Sequence, residues 1–196
     1  MHWQASVHES EDLACTSCHV VHKPSQVLER TTQAEVCYQC HKDIRAQTHR
    51  TSSHPIREGK VVCSDCHNPH GSAGPSSLKQ LSVNDNCYAC HAELRGPFLW
   101  EHYPATEDCT LCHKVHGSNH PSLLARRGPQ LCQQCHADVR ATDGRTHIRI
   151  FLDFDLNDPD PTRGTARGRF VVGENCMNCH SKVHGSNHPS GVNLQR

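Results

Sequence analysis

The chain has 196 residues, of which 14 are cysteine and 19 histidine, while aromatics make up only 5%. Leu, Ile, Val and Phe together reach about 18%, too little apolar side chain for an ordinary core. Twenty basic residues balance twenty acidic ones, which excludes both an electrostatic nucleic-acid footprint and a polybasic membrane patch. No window approaches the roughly 18 apolar residues of a transmembrane helix, and the N-terminal MHWQASVHES lacks an apolar signal-peptide core.

In chain order, the cysteines form CTSCH, CYQCH, CSDCH, CYACH, CTLCH, CQQCH and CMNCH. Every cysteine belongs to a CxxC and every CxxC is followed at once by histidine. With His near a tenth of the composition, this would arise by chance about once in ten million, so the haem-attachment reading of CxxCH is taken literally. Two thiols add across the vinyl groups of one haem and the adjacent imidazole binds its iron. Structural zinc needs four ligands and gives no reason for a histidine after every second cysteine. A disulfide scaffold does not suit CxxC pairs, which are mostly redox-active.

Seven c-type haems are therefore expected. Their thioether anchors are Cys15 and Cys18, Cys37 and Cys40, Cys63 and Cys66, Cys87 and Cys90, Cys109 and Cys112, Cys132 and Cys135, Cys176 and Cys179. The proximal ligands are His19, His41, His67, His91, His113, His136 and His180.

The sites alternate in character. Even sites share VCYQCHKDIR, NCYACHAELR and LCQQCHADVR, which predict short helices started by Thr32 with Glu35, by Ser82 with Asp85, and by Pro129. Arg45, Arg95 and Arg140 recur at one place in these phrases and suit either haem propionates or a solvated face. Odd sites carry a tail instead, CHVVH, CHNPH and CHKVH. The unit is a haem pair, giving one domain over 1–196 built of repeats at about 8–53, 54–101, 102–146 and 147–196.

A tail histidine lies too close to its own proximal ligand to reach the far face of the same haem. His22, His70 and His116 are therefore assigned as distal ligands of haems two, four and six. The upstream histidines His8, His54, His102 and His147 are assigned to haems one, three, five and seven. His2, His49, His120, His184 and His188 remain over. His184 is left as an idle remnant, a replacement for His147, or a contact to another protein. Met1 and Met177 are badly placed as ligands, so bis-histidine iron of low potential is expected, with no vacancy for substrate and no CxxCK variant to create one. The reading is an electron carrier and not an enzyme. Each ferric haem with ionised propionates adds about one negative charge, making the loaded chain roughly seven units negative.

Between His136 and Cys176, IRIFLDFD and RFVV bracket a Pro/Asp/Gly turn and predict a β-hairpin near 148–172. Asp153, Asp155, Asn157, Asp158 and Asp160 suggest calcium chemistry, but Asp158 and Gly164 stand where a calcium loop has Gly and Glu, which favours a solvated acidic turn. The expected fold is a multihaem cytochrome c: an elongated, mostly irregular chain with short helices wrapped around a haem array.

HPIREGKVVCSDCHNPHGS, NDNCYACHAELRGPFLWEH, PQLCQQCH and CHSKVHGSNHPSG together resemble the periplasmic decahaem cytochromes of the MtrA/DmsE family, over nearly the whole chain. The resemblance implies a periplasmic or outer-membrane-associated haem wire threaded through an outer-membrane β-barrel protein. It also implies a periplasmic electron donor and an extracellular multihaem cytochrome or reductase as acceptor. The family has ten sites and this chain seven, which implies either a piece of a decahaem protein, accounting for the missing signal peptide, or a shorter natural form. A soluble periplasmic shuttle and a haem-wire filament using leftover histidines across subunits are the rival arrangements.

Overall fold

The computed structural model describes residues 3–136, 175–178 and 180–192. The predicted hairpin near 148–172, the acidic run within it, Arg140, His147 and Cys179 lie outside the described residues.

Secondary structure is short throughout. The helices are α1 (Val7–Ser10), α2 (Gln33–Cys37), α3 (Lys42–Thr48), α4 (Cys63–Cys66), α5 (Val83–Tyr88), α6 (Tyr103–Glu107) and α7 (Gly128–Cys132), and a two-stranded antiparallel sheet pairs β1 (Trp100–Glu101) with β2 (Gly185–Ser186). Single 3₁₀ turns cover Cys15–Ser17, Cys109–Leu111 and Cys176–Asn178. None of the described helices is long and apolar enough to cross a membrane.

The helices expected at even sites form, with one difference at their starts. Ser82 caps α5 by accepting from the Asp85 amide at 3.0 Å, and Pro129 occupies the first turn of α7. Thr32 makes no cap; its hydroxyl donates to the Gln26 carbonyl at 2.7 Å, so the preceding turn has taken the oxygen the helix would have used.

Among the described residues the buried hydrophobic side chains are Ala34, Tyr38 and Val62, which agrees with the poverty of apolar residues in the composition. Buried polar side chains do much of the joining. Gln33 donates to the Val27 carbonyl at 2.8 Å and accepts from the Ser64 amide at 2.9 Å, tying α2 to α4. Asn84 of α5 donates to the carbonyls of Ala105 and Thr106 and accepts from the Cys109 amide at 2.8 Å. Each amide joins an even site to the odd site that follows it. Beside the first of these junctions, Arg30 grips Asp65 with two hydrogen bonds, at 2.7 and 3.0 Å, and also donates to the carbonyls of Gly59 and Lys60.

A second set of contacts runs from the tails of sites three, five and seven back to an earlier repeat. Ser118 and Ser52 form a bridge, and β2 pairs Gly185 with Glu101 and Ser186 with Trp100. Glycine is required at these crossings. A Cβ on Gly117 would lie 2.0 Å from the Gln47 carbonyl oxygen, and one on Gly185 2.2 Å from the Phe98 ring; their φ values of +151° and +144° add to the strain of any replacement.

Candidate haem sites

All seven CxxCH segments adopt one local conformation. The amide of each proximal histidine donates to the carbonyl of the first cysteine at 2.9–3.0 Å, from His19 to Cys15 through His180 to Cys176. This single helical turn brings positions one and five of each motif to one side, together with position four in the six motifs described throughout.

Six proximal imidazoles face a second imidazole, and in every case the second comes from outside the CxxCH motifs. The ring centroids lie 5.9 Å apart for His19 and His70, 6.2 Å for His41 and His8, and 6.1 Å for His67 and His116. The separations are 6.4 Å for His91 and His54, 6.1 Å for His113 and His184, and 6.2 Å for His136 and His102. Two metal–imidazole bonds of about 2.0 Å, with about 1.1 Å from each nitrogen to its ring centre, give roughly 6.2 Å. The residues present therefore fit a haem iron held between each pair.

The partners differ from those expected from the sequence. His8 faces His41 and not His19; His54 faces His91 and not His67; His102 faces His136 and not His113. The upstream histidines thus stand opposite even sites. His70 faces His19 and not His91, and His116 faces His67 and not His136, so the tails stand opposite odd sites of the preceding repeat. His184, left over in the sequence reading, faces His113. His22, assigned there to haem two, is exposed and opposes no imidazole among the described residues. The physical reason is the folding back of each tail onto the preceding repeat, which carries its histidine past the nearest site in sequence. The signal that could have revealed this is the HGS following His70, His116 and His184, a glycine demanded by close backbone approach.

Backbone carbonyls orient these rings. His8 donates from Nδ1 to Pro69 O at 2.8 Å, and His54 to Val115 O at 3.0 Å; the Val183 backbone also engages His102. Among the proximal histidines, His67 donates to Ser76 O at 3.0 Å and His113 to Ser122 O at 2.8 Å. A carbonyl only accepts, so Nδ1 carries the proton and Nε2 keeps its lone pair for a metal. Burial lowers the pKa of His102, His116 and His184, with the imidazole opposite each adding to the shift. All three are held in the neutral form that ligation needs.

The thiols define neighbours. The Cys37 thiol donates to Cys63, which raises Cys37 further as burial adds to it and holds Cys63 lower. Cys87 donates to Cys109 and Cys132 to Cys176; burial first, then the neighbouring sulfur, pushes Cys87 up to about 12 and Cys132 up to about 11. Cys18 senses Cys40, Cys66 senses Cys90, and Cys112 senses Cys135. First cysteines hydrogen-bond between doubled motifs and second cysteines lie near enough within them to feel each other's charge, so the sites follow one another in sequence order.

The recurring arginines pair locally, Arg45 with Glu35 at 3.6 Å and Arg95 with Asp85 at 3.9 Å, both exposed. Among the described residues no group of three or more His, Cys, Asp or Glu side chains is placed to hold a metal ion by itself; the imidazoles stand in opposed pairs.

The doubled CXXCH motif family matches residues 6–46, 54–96 and 102–141, each segment holding one odd and one even site. The chain is also 48% identical over 195 residues to the multiheme cytochrome MtrA of Shewanella baltica (strain OS185), covering 99% of this chain and 56% of that relative. It thus spans little more than half the relative's length. With three doubled motifs and a seventh CxxCH built on the same turn, the chain belongs to the multihaem c-type cytochromes of the doubled CXXCH family.

Proposed function

We propose that this chain is an electron conductor, a single domain of two-haem repeats holding seven covalent haems in a continuous row ordered as the motifs are in sequence. The observation that carries it is the pairing of six proximal imidazoles each with a second imidazole at a separation that fits an iron between them. Both axial positions are then filled, so the bound groups supply one-electron chemistry with no open coordination site for substrate. The protein's part is to hold them. Its CxxCH turns fix each ring edge, its carbonyls fix the imidazoles, and the amide ties of Gln33 and Asn84 keep successive groups adjacent. In this reading the row is elongated, the porphyrins supply the apolar core that the amino acids lack, and the seventh site takes its distal ligand from outside the described residues, where His147 lies.

The likeness to MtrA supports a place for the chain at the outer membrane. There it would work with a β-barrel protein, taking electrons from a periplasmic donor and delivering them to an extracellular cytochrome or reductase. The test is reconstitution with a porin-type barrel in vesicles that enclose a redox dye, with reductant outside. Dye reduction above the barrel-only control is expected; its absence overturns the conduit role and leaves a soluble shuttle. Intact mass with seven haem increments, and a ferrous protein that takes up no carbon monoxide, are expected alongside.

A further inference from the structure

The tails follow one rule: His70, His116 and His184 each stand opposite an odd-site proximal histidine of the preceding repeat. His22 is the same element at site one. By that rule its partner is an odd-type haem that none of the seven CxxCH motifs of this chain provides. The haem next to it in sequence is not available, because His41 already faces His8.

The surroundings of His22 agree. His70, His116 and His184 are half-buried and each is followed by a buried glycine, because an earlier repeat lies against them. At site one the same stretch is bare: Val20 and Val21 are 49% and 61% exposed, and His22 and Lys23 are exposed as well. Lys23 and Pro24 replace the Gly-Ser of the other tails, so no glycine-dependent crossing is formed. His22 itself has a φ of +65°, a left-handed conformation uncommon outside glycine.

We infer that His22 is the sixth ligand of a c-type haem held outside this chain's seven motifs, docked on the Val20–Val21 surface. The inference rests on the bis-histidine reading above. The Nε2 lone pair of His22 displaces water from the open face of a ferric haem whose other axial ligand is its own CxxCH histidine; no electrons are transferred in the step. Such a haem lies on a CxxCH-bearing stretch that is not a second copy of this chain, because the bis-histidine reading leaves no open face on any of the seven haems a copy would bring.

The probe is an N-acetylated haem-c peptide with one CxxCH and no other histidine, titrated into the haem-loaded chain and followed by the high-spin to low-spin change of the peptide haem. Binding at one peptide per chain is expected, weakened at least tenfold by His22→Ala and unaffected by His120→Ala. Equal binding by wild type and His22→Ala overturns the inference. So does carbon monoxide uptake by His22→Ala in the absence of peptide, which would make His22 a ligand of one of the chain's own haems. His70→Ala separates the two levels: it opens one haem to carbon monoxide if the bis-histidine reading holds, and its failure to do so sinks that reading rather than this one. A monomer that captures the peptide through His22 is expected, whereas concentration-dependent self-association lost in His22→Ala would place the haem on a second copy and overturn the inference.

Discussion

Asn84 is the side chain whose loss should be felt most locally. Replacing it with leucine keeps the volume and removes three hydrogen bonds: two donated to Ala105 and Thr106, and one accepted from the Cys109 amide at 2.8 Å. The side chain is 7% exposed, so water does not readily replace it. At about 1 kcal/mol per bond, with the Cys109 amide left unsatisfied, local opening of this junction should become easier by about 3 kcal/mol. That corresponds to a roughly 100-fold loss of hydrogen-exchange protection. Exchange measured by mass spectrometry on peptides spanning 105–112 is the assay, with Ser10→Ala, an exposed turn bond, as control. Because Cys87 and Cys109 touch across the same junction, magnetic coupling between haems four and five should weaken while haem content stays at seven. Protection changed by less than threefold, with coupling intact, would refute the assignment of Asn84 as the strut of that junction.

His184→Ala should open one haem to carbon monoxide, and mass spectrometric footprinting should place it at Cys109–His113; opening at Cys176–His180 instead would contradict the observed pairing. His102→Ala should likewise open site six and leave site five closed, read in the same way. Gly117→Val places a side chain against the Gln47 carbonyl and should lift the tail carrying His116, giving a partly high-spin haem three; a wholly low-spin ferric spectrum would count against the crossing. Asp65 is held below the usual carboxylate range first by its hydrogen bond from Arg30. A depressed pKa stabilises above the unfolded value near 4 and is lost as pH falls through the folded one. Asp65→Asn should therefore flatten the acid limb of the melting curve below about pH 4, and an unchanged limb would show that the clamp contributes nothing.

What the sequence made legible was whatever depends on neighbours along the chain. Each CxxCH turn is closed by a bond between residues four apart, and the starts of α5 and α7 are set by Ser82 and Pro129, so these elements could be read directly. The histidine that closes each of these turns was equally plain. The partners of those ligands were not, because each depends on where a tail lands after the chain has folded back. His184 reaches His113 across a stretch that includes 137–174, and no local count of histidines encodes that distance. Assigning each distal ligand to the nearest odd or even site made the arithmetic close with the wrong partners, and it gave His22 a haem that His8 already faces. The glycine after each returning tail was the available clue, since a Cβ would meet the Gln47 carbonyl at Gly117 and the Phe98 ring at Gly185.

The tails that cross between repeats make the protein a series of lap joints. Sites one, three and five are each fastened by two successive units, so on the proposed bis-histidine reading a unit inserted inside the series would receive a ligand from the next and lend one to the last. Cutting the series does the opposite, producing an open haem on one side of the cut and a spare histidine on the other. On that reading, chains of this design can grow by internal duplication without passing through a form that exposes a reactive iron.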